Sequence, residues 1–333
     1  MADASGDRPL AAYLHVSDLQ VRLHTDATFA APEFIRAASQ WLIQAEQEGQ
    51  SRYGERIRGV LAWAYALKGQ CRAAEKLVAD AAASDQGPTD AAKLLPSLWL
   101  GGPLPVAWAV EKCEALLADP PSPRTAASAY RSLAVLRAML GEFDEARLLL
   151  QRDAEILDDL GLAVLRAAGF SNSATVELLA GRPAEAERVL RGAIIELEKL
   201  GATMYAAGLG ASLSRALLEQ GREQDAWAVL HASDETFARD VAYQIELQCV
   251  GARLVAGRGA LDEGESACRG AVALADTTDS TDLQATSRVD LAHILLEAGR
   301  MSEAEAVLER ALLLYEQKGN LVEAAGARDL LAR

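Results

Sequence analysis

The sequence predicts an all-α fold, a right-handed superhelical solenoid of about seven helical hairpins, on three observations. Turn glycines recur at Gly69, Gly102, Gly141, Gly181, Gly221, Gly259 and Gly299, with successive spacings of 33, 39, 40, 40, 38 and 40. A similar phrase follows most of them: G-E-F-D-E-A from Gly141, G-R-P-A-E-A from Gly181, G-R-E-Q-D-A from Gly221 and G-R-M-S-E-A from Gly299. Composition agrees, because 50% of the 333 residues are hydrophobic but only 5% are aromatic. Ala and Leu must carry the burial, and both favour helix.

Each element of the unit follows from position relative to its glycine. Five residues after come Ala74, Ala146, Ala186, Ala226, Gly264 and Ala304, and seven before come Ala62, Ala134, Ala174, Ser214, Ala252 and Ala292. Small residues at two fixed sites let the helix before the turn, helix A, approach the helix after it, helix B. Nine after the glycines, Val78, Leu150, Leu190, Leu230, Cys268 and Leu308 face the core, the thiol packing as a small hydrophobe. This is the tetratricopeptide pattern, with each helix lengthened by nearly a turn relative to the standard period of about 34. Gly161, Gly201 and Gly319, each 20 after its turn glycine, end helix B and support that length. One such hairpin cannot bury both its faces, so stability must come from stacking.

The expected organisation is a disordered terminus over 1–9, capping helices over 10–50, and first repeats with an irregular Pro-rich member over 51–124. A regular array over 125–319 and a capping helix over 320–333 complete it. Nine of the ten prolines lie at or before Pro123, and Pro183 falls in the first turn of a helix B, where it is tolerated.

The charge balance, 33 Lys and Arg against 48 Asp and Glu for a net −15, opposes a broad grip on nucleic acid or anionic membrane. No run of 18 apolar residues occurs and the start of the chain is acidic, which reads as a soluble, cytoplasmic protein. Cys71, Cys113, Cys249 and Cys268 are scattered and read as buried thiols. His15, His24, His231 and His293 form no H-x-x-x-H pair, so no metal site is expected. Residues 169–173 lack the second glycine of a nucleophile elbow, and Gly208-Leu209-Gly210 lacks the strand and third glycine of a dinucleotide fingerprint. Both read as close-packing sites between helices. Neither a catalytic constellation nor a cofactor is indicated, so the chain is not expected to be an enzyme.

The inner face of helix A lines the concave groove of such solenoids. Six residues before the turn glycines stand Trp63, Val135, Thr175, Arg215, Arg253 and His293, and neighbouring groove positions add Arg131, Ser171, Glu246 and Thr286. The strip Arg215, Arg253 and His293 suits a carboxylate, a phosphate or an acidic peptide. The competing reading is that these side chains are solvated or paired within the chain. Trp41, Trp63, Tyr65, Trp99 and Trp108 fill core where the repeats are irregular, or line a small-molecule pocket near residues 99–108.

Residues 102–117 (G-P-L-P-V-A-W-A-V-E-K-C-E-A-L-L), 176–190 (V-E-L-L-A-G-R-P-A-E-A-E-R-V-L) and 290–320, which opens D-L-A-H-I-L-L-E-A-G-R-M-S-E-A-E, resemble a known arrangement. They are similar to the C-terminal tetratricopeptide region of large bacterial signalling proteins. Those proteins join an adenylate/guanylate cyclase or a DNA-binding activator domain to an AAA-type ATPase and then to such repeats. The chain lacks the phosphate loop G-x-x-x-x-G-K-[ST] and any preceding cyclase or helix-turn-helix segment, so it reads as a regulatory tail or a free-standing relative. The resemblance implies a scaffold that binds a protein or peptide in its groove, without lending an activity. The alternative is a sensor whose curvature changes when a small molecule or peptide is captured. An uncapped end would allow self-association.

Overall fold

The computed structural model describes residues 14–19, 31–48, 51–82, 90–232 and 240–332. The expected disordered stretch 1–9 and His24 lie outside the described residues, which contain helices, turns and no strand. In chain order the helices are α1 (Ala31–Gln47), α2 (Ser51–Leu67), α3 (Cys71–Ala82), α4 (Leu95–Gly101, after a 3-10 turn at Asp90–Leu94), α5 (Val106–Ala118) and α6 (Pro123–Met139). They continue as α7 (Phe143–Asp159), α8 (Ala163–Leu179), α9 (Pro183–Lys199), α10 (Thr203–Gly208), α11 (Gly210–Leu218) and α12 (Glu223–Ala232). The last five are α13 (Val241–Ala256), α14 (Leu261–Ala275), α15 (Thr281–Glu297), α16 (Met301–Lys318) and α17 (Leu321–Leu331). Each packs chiefly on its chain neighbours, giving A–B hairpins α2/α3, α6/α7, α8/α9, α11/α12, α13/α14 and α15/α16. No helix is long and apolar enough to cross a membrane among the described residues.

The turns need glycine for a backbone reason. At Gly141, φ is +87°, its N–H donates to Ala138 O, and the Glu142 N–H reaches back to Arg137 O. That left-handed closure satisfies the carbonyls at the helix end, and a Cβ would strain it. Gly69, Gly181, Gly221, Gly259 and Gly299, with the second-stop glycines Gly161, Gly201 and Gly319, also have positive φ. Gly102 departs from the series: its φ is −83° and its N–H caps α4 through Leu98 O. The turn there is of a different kind: α4 is only 7 residues long, and the chain bends through Gly102, Pro103 and Leu104 before Pro105 leads into α5.

The small residues meet where helices cross. Ala74, Ala146, Ala186, Ala226 and Ala304 are fully buried, and so are Ala62, Ala134, Ala174, Ser214 and Ala292. A Cβ on Gly264 would stand 2.7 Å from Ala252 O, inside van der Waals contact with backbone. Ser214 adds a hydrogen bond, its Oγ donating to Ala226 O at 2.7 Å. Val78, Leu190, Cys268 and Leu308 are buried as the pattern requires, while Leu150 and Leu230 pack at the margin of the core.

Neighbouring hairpins are also pinned by charge. Arg222, just after its turn glycine, pairs with Glu187 of the preceding helix B at 2.6 Å, and Arg300 pairs with Glu265 in the same relation. Between those repeats Trp227 replaces the glutamate, and the Arg258 guanidinium stacks over its ring at 3.7 Å.

The array returns on itself. The Asp279 carboxylate accepts the Cys71 and Arg72 N–H groups at the start of α3, at 3.0 and 2.8 Å, and the Asp279 N–H donates to Gly69 O at 2.9 Å. Lys318, fully buried, donates to Gly102 O at 2.6 Å, Leu100 O at 2.7 Å and Trp99 O at 3.4 Å. An anion thus sits at the N-terminus of α3 and a cation at the C-terminus of α4, the signs that helix ends favour. Trp99 is buried too, its indole N–H donating to Glu75 Oε1 at 2.9 Å.

Two outcomes follow from this packing. Gly264→Val should lower unfolding stability by about 2–4 kcal/mol in a urea titration, since backbone cannot retreat from the added atoms. Lys318→Met should leave buried carbonyls without donors, costing about 2–4 kcal/mol, and should raise the radius of gyration in small-angle scattering.

Candidate functional site

A cavity of about 360 Å³ opens on the inner face of the A helices. Its wall draws on helices far apart in sequence: Thr175 from α8, Arg215 from α11, Tyr243 and Glu246 from α13, Asp282, Thr286 and Asp290 from α15, and Glu323 from α17. Gly208, at the break between α10 and α11, also lines it, and a Cβ there would meet nothing within 4 Å.

Asp290 organises the polar part. Its carboxylate is buried and accepts both terminal nitrogens of Arg215, at 3.3 and 3.0 Å, and Arg253 Nη1 at 3.3 Å. Arg215 Nε donates to Glu246 Oε1 at 3.2 Å, Ser212 Oγ donates to the other oxygen of Glu246 at 2.9 Å, and Arg253 reaches Glu219 at 2.9 Å. Burial works to raise the Asp290 carboxyl, but Arg215 and Arg253 outweigh it and hold the group below the usual carboxylate range. Burial first, and then Arg253, push the neighbouring His293 imidazole down, so it is neutral at pH 7.

Asn320, the N-cap residue of α17, ties that helix to Asp282. Its Oδ1 accepts the Glu323 N–H at 3.2 Å and its Nδ2 donates to Asp282 Oδ1 at 3.1 Å. Thr286 and Tyr315 share a hydrogen bond of 2.9 Å. Burial pushes the Glu323 carboxyl up to about 7, Arg215 drawing it back while Asp282, Asp290 and Glu219 repel its charge.

The sequence-derived positions divide into three groups. Thr175, Arg215, Glu246 and Thr286 line the cavity, and Arg253 and His293 stand behind Asp290. Arg131 and Ser171 do not reach it: Arg131 makes a two-pronged pair with Asp153 at 2.9 Å for each contact, and Ser171 Oγ donates to Ala168 O. Gly169 explains the first placement, since a Cβ there would lie 3.2 Å from Arg131 Nε. Arg215 and Arg253 are therefore held by carboxylates of the chain rather than standing as open cations. Sequence reasoning missed Asp290, Asp282 and Glu323. A usable signal was Asp290 itself, an acid set among apolar residues in V-D-L-A on a helix meant for burial. No group of three or more His, Cys, Asp or Glu side chains suited to a metal ion occurs among the described residues.

No protein-family model matches the chain, and no curated protein matches it. Solved structures do. A chain of the APC/C hetero-tetramer Cut9-Hcn1 aligns with a TM-score of 0.60 at 14% identity, covering 88% of this chain. The match spans only 52% of that longer chain. A Rap protein complexed with Competence and Sporulation Factor aligns with a TM-score of 0.56 at 10% identity, over 98% of this chain and 97% of the other. The fold is that of a tetratricopeptide-like repeat protein. Its tetratricopeptide-like hairpins carry the glycine turns and small-residue crossings that the period predicted.

Glu323 gives the tetratricopeptide-like array a measurable pH signature. A carboxyl raised in the folded state favours folding at low pH, and that contribution is lost as pH climbs from the unfolded value of 4.5 through about 7. Glu323→Gln should melt higher than the parent at pH 8 and lose that advantage at about pH 4, by differential scanning calorimetry.

Proposed function

We propose that this chain is a non-enzymatic scaffold that holds a short segment of a protein or peptide partner in its inner-face cavity. The observation that carries the reading is the cavity wall: five helices separated by up to 148 positions, from Thr175 to Glu323, converge charged and polar side chains on one recess. Packing the hairpins does not require this, and burying charge is costly, so a recognition role accounts for it. At about 360 Å³ the recess suits a side chain or short segment rather than a folded domain. Its binding residues are Thr175, Arg215, Glu246 and Thr286, with Arg253 and His293 beside Asp290 behind the wall. Structural neighbours that occur in assemblies, the APC/C hetero-tetramer and the Rap complex, support a partner-binding role.

Such a module would act in bacterial signalling or transcription control, a setting that the sequence resemblance supports, and in the cytoplasm, as the composition suggests. The net charge of −15 argues against nucleic acid or anionic membrane as the partner. A second reading, a sensor whose curvature responds to ligand, is favoured by the contacts of Asp279 and Lys318 that join the last hairpins to the first. A change of curvature would act on those bonds directly.

Gly208→Leu is the occluding test, because its side chain enters open space and improves helix propensity. A positional-scanning library of hexapeptides should bind the parent chain and lose at least about tenfold in affinity for the variant, with the melting temperature unchanged. Absence of binding, or binding that the variant retains, would overturn the groove reading.

A further inference from the structure

The cavity holds one cation against several acids. Of its charged lining residues only Arg215 is basic, while Glu246, Asp282, Asp290 and Glu323 are acidic. Arg215 is fully committed: its three nitrogens reach Glu246 and both oxygens of Asp290. Arg253, behind the wall, is divided between Asp290 and Glu219. Among the described residues, by contrast, no hydrogen bond or ion pair engages the Glu323 carboxyl. It stands in the cavity wall and is part-buried.

We propose that the cavity receives a cationic group, an ammonium or guanidinium carried by a peptide segment, with Glu323 as its counter-ion and Asp282 and Glu246 supporting it. The assignment rests on the groove reading above and names the chemistry it selects. It reverses the sign expected from the arginine strip, because the basic side chains that suggested an acidic ligand are neutralised within the chain. A cation entering the recess finds a carboxyl with no partner and gains charge-assisted hydrogen bonds in a water-poor site. An anion would have to displace Asp290 from two arginines.

The groups facing Glu323 are Arg215 from α11, Glu219 just past its end, Glu246 from α13, Asp282 and Asp290 from α15, and Tyr315 from α16. Beside it, Val322 packs near Gly141 in the turn after α6. Burial in the wall, which Arg215 opposes and Asp282, Asp290 and Glu219 reinforce, lets the carboxyl keep its proton to about pH 7, and an arriving cation releases it. Affinity for the cation should therefore rise as pH climbs through that value.

The hexapeptide library, in N-acetylated and free-amine forms, tests this by calorimetry at pH 6 and pH 8. The expected result is selection for Lys or Arg at one position in the acetylated form, or for the free amine over the acetylated one. The first identifies a side-chain cation and the second a chain terminus. Binding should strengthen about tenfold between pH 6 and pH 8, and Glu323→Gln should abolish both the selection and the pH dependence while remaining folded. Selection for Asp or Glu that Gly208→Leu removes would overturn the cation assignment and leave the groove reading standing. Binding without charge selection, or selection that Glu323→Gln preserves, would also overturn it. A library in which nothing binds removes both.

Discussion

Every A helix crosses its B helix where two small side chains meet, and that contact sets the direction of everything else. With Ala252 against Gly264, where a Cβ would stand 2.7 Å from Ala252 O, the two backbones lie too close for rotation about either axis. A fixed crossing repeated at nearly constant period turns the same edge of each A helix toward the same side. Arg215, Glu246 and Asp290 consequently share a wall although 75 positions separate the first from the last. The site is therefore a product of the repeat rather than an insertion upon it.

Return of the array on itself converts that wall into a recess. Lys318 and Asp279 fill vacancies that short helices leave, since α3 begins without acceptors for its first amides and α4 ends with bare carbonyls. These charges are buried at a cost, and each is offset because its partner is a helix end of opposite sign. The same segment carries Asp282, Asn320 and Glu323. Closing the ends and building the second wall are thus a single event, and whatever loosens one must alter the other.

The hairpins were legible because glycine turns and crossing residues are local: a left-handed φ demands glycine, and a tight crossing demands Ala, Ser or Gly. Gly102 misled for the same reason, since a glycine at the right distance also serves an extended cap beside prolines. The inner face was legible in position and opaque in charge. Counting six residues back finds Arg215 and Arg253, yet whether they are open depends on Asp290, which lies two repeats beyond the first and one beyond the second, nine residues before its own glycine. The closure had no local signal at all. Lys318 reads as an ordinary basic residue near a helix C-terminus, and its acceptors lie more than 200 positions earlier.

This difference bears on how the recess would choose a ligand. A free pair of arginines on a chain of net charge −15 would attract many anions with little discrimination. Binding them to Asp290 removes that attraction and also fixes the geometry of the wall, because a two-pronged guanidinium contact permits one orientation. What remains is a surplus of carboxyl groups, of which Glu323 alone lacks a partner among the described residues, its carboxyl pushed up to about 7 by burial. On the proposed reading, the empty cavity keeps that surplus tolerable by holding a proton, and a cationic ligand takes the proton's place. Specificity then comes from the exchange itself: a neutral group offers nothing to replace the proton, and an anion only favours keeping it.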